Sequence, residues 1–164
     1  MQKGFTLLEL MVTTSLVIIL MMVGLPSLNS LLQENRAKYE SQQLQKYLRQ
    51  ARNQAISDQL EITACLVDTN SMCVQSDAIR FIAFSDDNAN DRRDVGEELY
   101  LTSKDFRAET VITSNRDAIV FAQDGTSLGN NISFTVCQTG ELQRLITLAQ
   151  SGRASLSEGV TTCP

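Results

Sequence analysis

The chain has 164 residues, a formal net charge of −5 at pH 7 and no histidine. This length fits one modest domain, and an acidic protein is repelled by phosphate backbones, so only a local basic patch could hold nucleic acid. The absence of histidine excludes Ser-His-Asp and Cys-His catalytic arrangements, and we expect neither an enzyme nor a cofactor.

The N-terminal segment is long and apolar. From Leu10 to Leu28 it carries no charged residue, and as a helix it would be about 28 Å long, close to the hydrocarbon thickness of a bilayer. A cleaved secretory signal would be shorter and would end in a small-residue site, which does not follow Pro26. We therefore predict a transmembrane helix over residues 5–29, with Gly24 and Pro26 favouring a kink near its end.

Glu9 lies one turn inside this apolar segment. A carboxylate in lipid is costly, so it usually has a partner and a function. The other explanation places it at the membrane surface near the start of the helix, where the helix dipole favours a negative group. The residue alone does not separate these two explanations.

The sequence KGFTLLE from Lys3 to Glu9, followed by an uninterrupted apolar run, resembles the class III signal of type IV prepilins and type II secretion pseudopilins. In that family a membrane-embedded prepilin peptidase cuts after the Gly and N-methylates the next residue. The resemblance assigns these steps to Gly4 and Phe5, with residues 1–4 as the leader and Lys3 as the positive-inside charge. It also implies that Glu9 pairs with the N-terminal ammonium of a neighbouring subunit and fixes axial register, because an unpaired buried charge is penalised.

Residues 30–58 change to an amphipathic pattern. Apolar residues at steps of three and four predict that the helix continues and packs one stripe on a sheet; they are Leu44, Tyr47, Leu48, Ala51 and Ala55. Basic residues occupy other positions, among them Arg49 and Arg52. We interpret them as a solvated helix face rather than a dedicated binding face.

After residue 58 the pattern changes to short runs rich in β-branched and aromatic residues. These runs predict strands at Glu61–Val67, Ala78–Phe84, Ala118–Ala122, Ile132–Cys137 and Leu145–Ala149. Turn residues between them, such as Asp124-Gly125 and Ser151-Gly152, indicate antiparallel hairpins. The predicted fold is α+β: a long N-terminal transmembrane helix packed on a C-terminal antiparallel β-sheet domain over residues 59–164.

Four segments resemble the GspH/FimT-type minor pilins and pseudopilins: Leu48–Ile56, Phe84–Asn88, Phe121–Gly125 and Ser151–Arg153. The resemblance implies a subunit that helps assemble or prime a type IV pilus or a type II secretion pseudopilus. Its partners would be other major and minor pilins or pseudopilins, the prepilin peptidase and the bacterial inner membrane. It would cross that membrane once, with its C-terminal domain in the periplasm, and join a filament after assembly. The sequence does not separate the two machines.

The four cysteines are Cys65, Cys73, Cys137 and Cys163. None forms a Cys-x-x-Cys pair, and the spacing is irregular, which disfavours a zinc site. Two disulfides formed in an oxidising compartment are the better explanation. Three connectivities exist, and we expect the pairing of sequence neighbours, Cys65–Cys73 and Cys137–Cys163.

The segment Ser85–Glu98 is rich in Asp and Asn, whose oxygens are the ligands that calcium prefers. Its spacing does not match an EF-hand loop, and Arg92 and Arg93 offset part of the negative charge. We expect a solvated, self-paired loop and no metal, with calcium as the alternative.

Gly152-Arg153-Ala154-Ser155 bears on a second hypothesis, the capture of extracellular DNA for transformation. DNA-uptake members of the family carry a Gly-Arg-x-Arg motif, but here Ser155 replaces the second arginine. A single arginine makes one phosphate contact, which is weak alone. Arg144 could help Arg153, although Glu158 opposes it. DNA binding therefore stays the alternative to a role in assembly.

Overall fold

The computed structural model describes residues 6–107, 109–128 and 131–163. Within these ranges a single helix, α1 (Leu7–Asp58), is followed by eight strands. They are β1 (Ile62–Val67), β2 (Arg80–Phe84), β3 (Leu99–Thr102), β4 (Thr110–Ser114), β5 (Ala118–Phe121), β6 (Ile132–Gln138), β7 (Leu142–Leu148) and β8 (Ala154–Thr162). The predicted α+β order, one long helix and then strands, is confirmed.

Helix α1 is 52 residues long, and both of its ends are capped. Thr6 is extended and its hydroxyl accepts a hydrogen bond from the Glu9 N–H at 3.2 Å, which satisfies one of the free donors of the first turn. At the other end Gln59 turns left-handed, with φ 57°, and its N–H donates to the Ala55 carbonyl. The backbone stays helical through position 26.

In the described residues the strands form two antiparallel sheets. The first has the order β3-β2-β1-β5, and the second has the order β4-β6-β7-β8. In the first sheet Ile62 pairs with Phe121 and Thr63 pairs with Phe84. The end of β5 and the end of β2 therefore lie at the same end of the sheet, directly beyond the end of α1.

The core lies between the C-terminal half of α1 and the two sheets. The helix buries the stripe predicted from its periodicity, Leu44, Leu48, Ala51 and Ala55. These side chains pack with buried residues of both sheets, including Phe81, Phe121, Phe134, Ile146 and Leu148. Each fully buried Leu contributes about 2 kcal/mol relative to an exposed one. This burial holds the helix on the sheets.

Three strands were not predicted from the sequence, and β7 begins at Leu142, three positions before the predicted run. Strand β3 has four residues, all at least partly exposed, so it lacks a continuous apolar signal. Strand β8 is an edge strand rich in Ser and Thr, and its composition resembles that of a loop. Strand β4 reads Thr-Val-Ile-Thr-Ser, and its β-branched run was a usable signal.

The disulfides join sequence neighbours, Cys65 with Cys73 and Cys137 with Cys163. The first closes a loop with a sequence separation of 8, and the second spans 26 residues. The longer bridge ties the end of edge strand β8 to β6. Since β8 otherwise pairs only with β7 in the described sheet, this bond restrains its free end.

The two disulfides should differ in their contribution to stability. We expect loss of Cys137–Cys163 to cost about 3.5 kcal/mol and loss of Cys65–Cys73 about 2.5 kcal/mol, because the longer loop restrains the unfolded chain more. Urea unfolding of paired Cys→Ala variants in an anchor-free fragment, residues 30–164, measures both. Wild type with its disulfides reduced lacks the bonds but keeps the cysteine side chains, so it controls for the volume that the Cys→Ala substitutions remove. A larger cost for the shorter loop would contradict the expectation.

Candidate functional site

The N-terminal half of α1 projects its apolar side chains away from the rest of the protein. Leu7 is 77% exposed and Met22 is 72% exposed, whereas the first buried residue of the helix is Ala37. An 18-residue window of this helix has a mean hydropathy of 2.2 with none of it buried. By length and composition it could cross a membrane. A surface of this size and polarity needs lipid or other apolar helices around it.

Glu9 lies in the first turn of this exposed half. Its N–H bonds to the Thr6 hydroxyl, while its carboxylate has no partner among residues 6–107, 109–128 and 131–163. The bond from the Glu9 N–H to the Thr6 hydroxyl is one of the two hydrogen bonds of a capping box. A negative group at this third helical position is also stabilised by the helix dipole. Gly4 and Phe5, the predicted processing residues, lie outside the described residues.

A shallow apolar groove of about 420 Å³ runs along this half of the helix at Gly24. It is lined by Val17, Leu20, Met21, Leu25 and Leu28. A Cβ added at Gly24 would have nothing within 4 Å. The missing side chain therefore leaves a notch in which another apolar helix could approach closely.

At its other end, α1 is joined to two turns by one arginine. The Arg52 Nε–H donates to the Gly125 carbonyl oxygen at 2.8 Å, in the turn that follows β5. Gly152, in the turn between β7 and β8, packs against the same carbonyl. Three of the segments quoted above for the family resemblance thus meet at one point, which we call the glycine junction (Arg52, Gly125 and Gly152).

Both glycines of the junction have left-handed backbones, with φ 78° at Gly125 and 72° at Gly152. A Cβ on Gly152 would overlap the Gly125 carbonyl oxygen and would lie 2.8 Å from the Arg52 Nε. A Cβ on Gly125 would lie 2.6 Å from the Cδ1 of Ile56. Only glycine allows the two turns and the helix to approach this closely.

A basic cavity of about 320 Å³ opens beside the junction. We call it the arginine pocket; it is lined by Arg49, Arg52, Asn53, Gly152, Arg153 and Ala154. Arg49 and Arg153 are exposed, and neither forms an ion pair within the described part of the chain. Sequence reasoning named Arg153 but missed Arg49. The i, i+3 spacing of Arg49 and Arg52 on one helix face was the available signal.

Arg144, the other arginine predicted for DNA, has a different environment. Its side chain is 15% exposed and lies between Glu158 at 3.1 Å and Glu34 of α1 at 3.7 Å. It pairs across the hairpin with Glu158, whereas Arg153 follows the far end of β7, where Leu148 pairs with Ala154. The two arginines are therefore separated by about 13 Å or more along the strand. They do not form one surface, and Arg144 is already neutralised.

The segment Ser85–Glu98, which we call the acidic loop, is held by its own carboxylates. Asp86 accepts hydrogen bonds from the N–H groups of Asn90 and Asp91. Glu97, only 8% exposed, accepts from the N–H groups of Asp87 and Asp94. These oxygens would have to leave their donors to bind calcium. No group of three candidate ligands suited to a metal occurs in the described residues.

Charge is not evenly compensated in the acidic loop. Hydrogen bonds from the side chains of Asn88 and Asn90 hold the pKa of Asp94 below its usual range. Burial raises the pKa of Asp91, and the carboxylates of Asp86 and Asp117 add to that effect. Ionised Asp91 is therefore disfavoured first by its partial burial and then by these two carboxylates.

Where α1 enters the globular part, Glu40 lies 3.6 Å from Arg107. The Glu40 side chain is 12% exposed. Burial raises the pKa of Glu40, although Arg107 acts in the opposite direction. Ionised Glu40 is thus an electrostatic cost that the folded protein tolerates at neutral pH.

Comparison with known proteins gives one family and one fold. The model of the family described as "Type II transport protein GspH" matches residues 40–152. No curated protein matches the chain at a significant level. The type IV minor pilin FimU of Pseudomonas aeruginosa has a similar structure in two crystal forms. One gives a TM-score of 0.62 at 18% identity over 76% of this chain and 90% of that one. The other gives a TM-score of 0.56 at 16% identity over 73% of this chain and 91% of that one.

The glycine junction can be tested with a matched pair of substitutions. Gly140 has a left-handed backbone and open space around it, so Gly140→Ala should lower the free energy of unfolding by about 1 kcal/mol. Gly152 also has a left-handed backbone, and a Cβ there would overlap the Gly125 carbonyl oxygen. Gly152→Ala should therefore lower the free energy of unfolding by at least about 3 kcal/mol. Urea unfolding of the 30–164 fragment measures both. Equal costs would show that the turns can separate freely.

The burial of Glu40 gives a pH-dependent prediction. The pKa of Glu40 is higher in the folded protein than in the unfolded chain. The protonated side chain therefore favours folding fully at a pH below the unfolded-state pKa, and this contribution is lost as the pH rises through the folded-state pKa. Glu40→Gln cannot ionise, so wild type should lose free energy of unfolding relative to this variant between about pH 3 and pH 7. Thermal unfolding of both fragments across that range measures the difference. A constant difference would contradict the assignment.

Proposed function

Because the chain belongs to the GspH family of minor pilins and pseudopilins, we propose that it is a membrane-anchored subunit that helps assemble or prime a type IV pilus or a type II secretion pseudopilus. The observation that carries the proposal is the exposed apolar half of α1. It has a mean hydropathy of 2.2 and no burial in the monomer, so it requires lipid before assembly and neighbouring helices afterwards. The notch at Gly24 suits such packing.

Processing precedes assembly in this proposal. The prepilin peptidase cuts after Gly4 and methylates Phe5, which creates a new N-terminal ammonium close to Glu9 in the sequence. The Glu9 carboxylate, without a partner in the described chain, then pairs with the ammonium of a neighbouring subunit. In an apolar filament core an axial displacement that separated the two groups would leave both charges unpaired, so the pair fixes axial register.

Capture of DNA is the second candidate function. Arg49 beside Arg153 favours it, since two exposed guanidinium groups line one cavity. Arg144 does not add to it, because Glu34 and Glu158 occupy that side chain. Two phosphate contacts give weak, strongly salt-dependent binding, so assembly remains the better-supported function.

The register role of Glu9 can be tested in cells that assemble the filament. Glu9→Leu should insert in the membrane as wild type does but should be depleted about tenfold or more from sheared filaments, because a buried ammonium left unpaired costs several kcal/mol. Immunoblots of membrane and sheared fractions measure both. Glu9→Asp keeps the charge and is the matched control, expected to retain more incorporation than Glu9→Leu. Wild-type incorporation of Glu9→Leu would refute the register role.

A further inference from the structure

The second sheet has two open edges. In the order β4-β6-β7-β8, strand β4 pairs with β6 alone and strand β8 pairs with β7 alone within the described part of the chain. Each step across the sheet is antiparallel, so β4 and β8 run in opposite directions. A second copy that stands beside the first in the same orientation therefore presents its β8 antiparallel to the β4 of the first.

The outer side of β4 carries unpaired backbone groups beside an open cavity. The Thr110 N–H donates to the Arg107 carbonyl, which lies outside the sheet. The Ser114 N–H donates in the same way to the Gln75 carbonyl. Alternate residues of a strand direct their backbone groups to one side, so those of Ile112 also point outwards. They have no partner among the residues that the structure describes, and a cavity of about 470 Å³ at this edge leaves room for another main chain.

Strand β8 has a free outer side over most of its length. Gln45 of α1 donates to the Ala154 carbonyl at 3.0 Å, which covers the first residue of the strand. The Arg153 carbonyl instead faces β7, where it accepts from the Ala149 N–H, so positions 154, 156 and 158 face outwards. From Leu156 to the end of the strand there is neither lysine nor proline, the residues that commonly block an exposed edge.

The register of the sheet brings the two edges to matching positions. One row of paired residues crosses the sheet through Ile112, Val136, Arg144 and Glu158. Two copies anchored in one membrane by the same helix stand at the same height, so the row of one copy continues into the row of the next. Glu158 of one copy then lies beside Ile112 of its neighbour, where the β4 edge is open.

The exposed apolar side chains agree with this register. Val160 is 99% exposed and Val111 is 55% exposed, although both are apolar and lie in strands. Val160 follows Glu158 by two residues, so in the paired arrangement it lies near Val111 of the neighbour. Cross-strand contact between two β-branched side chains stabilises a sheet, and it removes both from water.

Charges at the other end of the contact are complementary. Arg153 precedes Ala154, whose row passes through Ile132 and ends in the turn between β4 and β5. That turn carries Asp117. Neither Arg153 nor Asp117 forms an ion pair with any residue that the structure describes, whereas Arg116 is held by a backbone carbonyl of its own chain. Pairing of the strands therefore places an unpaired arginine level with an unpaired carboxylate, which favours this register.

We propose that β8 of one subunit pairs with β4 of a second copy of this chain, so that the second sheet continues from one subunit into the next. A contact between two different edges can repeat in one direction. Two copies related by a two-fold axis along the membrane normal would instead pair β8 with itself in parallel, which is less stable per residue. The disulfide Cys137–Cys163 already holds the end of β8 in its sheet, so little conformational entropy is lost on binding. The inference rests on the proposed function, because a shared membrane gives the copies one orientation and one height.

Photo-cross-linking of the full chain in its own membrane tests the contact. Benzoylphenylalanine in place of Val160 should join two differently tagged copies made in the same cells, and the joined peptide should contain Val111 or Ile112. The matched control carries the probe in place of Val95, which is also fully exposed but lies in the acidic loop. We expect at least about ten times more joined dimer from position 160, because that position lies on the paired edge. Equal yields overturn the proposal, as does capture of a different protein or a joined peptide from β8 itself.

A proline in β8 tests whether main-chain hydrogen bonds make the contact. Glu158 directs its N–H outwards, so Glu158→Pro removes a donor that its own sheet does not use. Glu158→Ala is the matched control, because it also loses the ion pair with Arg144 but keeps the N–H. With the probe at position 160, Glu158→Pro should lower the yield of joined dimer about tenfold relative to Glu158→Ala. Val111→Asp, at an exposed position, should lower the yield without a proline, because a carboxylate would then lie beside the apolar probe. Unchanged yields in these variants overturn the proposal.

The outcomes also separate this inference from the proposed function. If wild type enters sheared filaments but position 160 joins no second copy, the strand contact is wrong and the proposed function stands. If joined dimers form at position 160 while wild type is absent from filaments, the proposed function is wrong and the contact between membrane-anchored copies stands.

Discussion

The hydrogen bond from Arg52 to the Gly125 carbonyl holds the architecture together where helix and sheets end. It spans 2.8 Å in a half-buried site, and a bond from a charged donor is worth roughly 1.5–3 kcal/mol. Gly152 packs on the same carbonyl, so one arginine fixes the helix, the turn after β5 and the β7–β8 turn together. The arginine pocket exists because these three segments converge.

The two halves of helix α1 require different environments. Its C-terminal half is stabilised by burial against both sheets, but its N-terminal half gains nothing from the monomer and would expose a continuous apolar surface to water. Charged pairs mark the boundary, since Glu34 meets Arg144 and Glu40 meets Arg107 within a few residues of the first buried position, Ala37. They fix where the helix leaves the globular part, and so how far the anchor projects.

Much of the fold follows from local patterns in the sequence. The 3–4 spacing of Leu44, Leu48, Ala51 and Ala55 predicts the buried stripe, because helical geometry alone puts these residues on one face. Strands β1, β2, β5 and β6 are buried and apolar enough to be recognised. Strands β3 and β8 were missed because an edge strand is defined by its partner, and its own residues can be polar.

The candidate site was harder to predict because its residues are far apart in the chain. Arg52, Gly125 and Gly152 belong to segments that were each recognised, yet no local pattern states that they touch. The same limit explains why the sequence suggested that Arg144 helps Arg153 to bind DNA. The two arginines are near in sequence but lie towards opposite ends of a hairpin. Proximity along a strand is a poor guide to a shared surface, since each residue advances about 3.3 Å.

The net charge of −5 conceals how the charges are used. Both carboxylate oxygens of Asp86 and both of Glu97 accept hydrogen bonds from the backbone of the loop, so these two side chains hold the loop in its conformation. Asp87 and Asp91 form no ion pair within the described residues, and neither do Arg49 and Arg153.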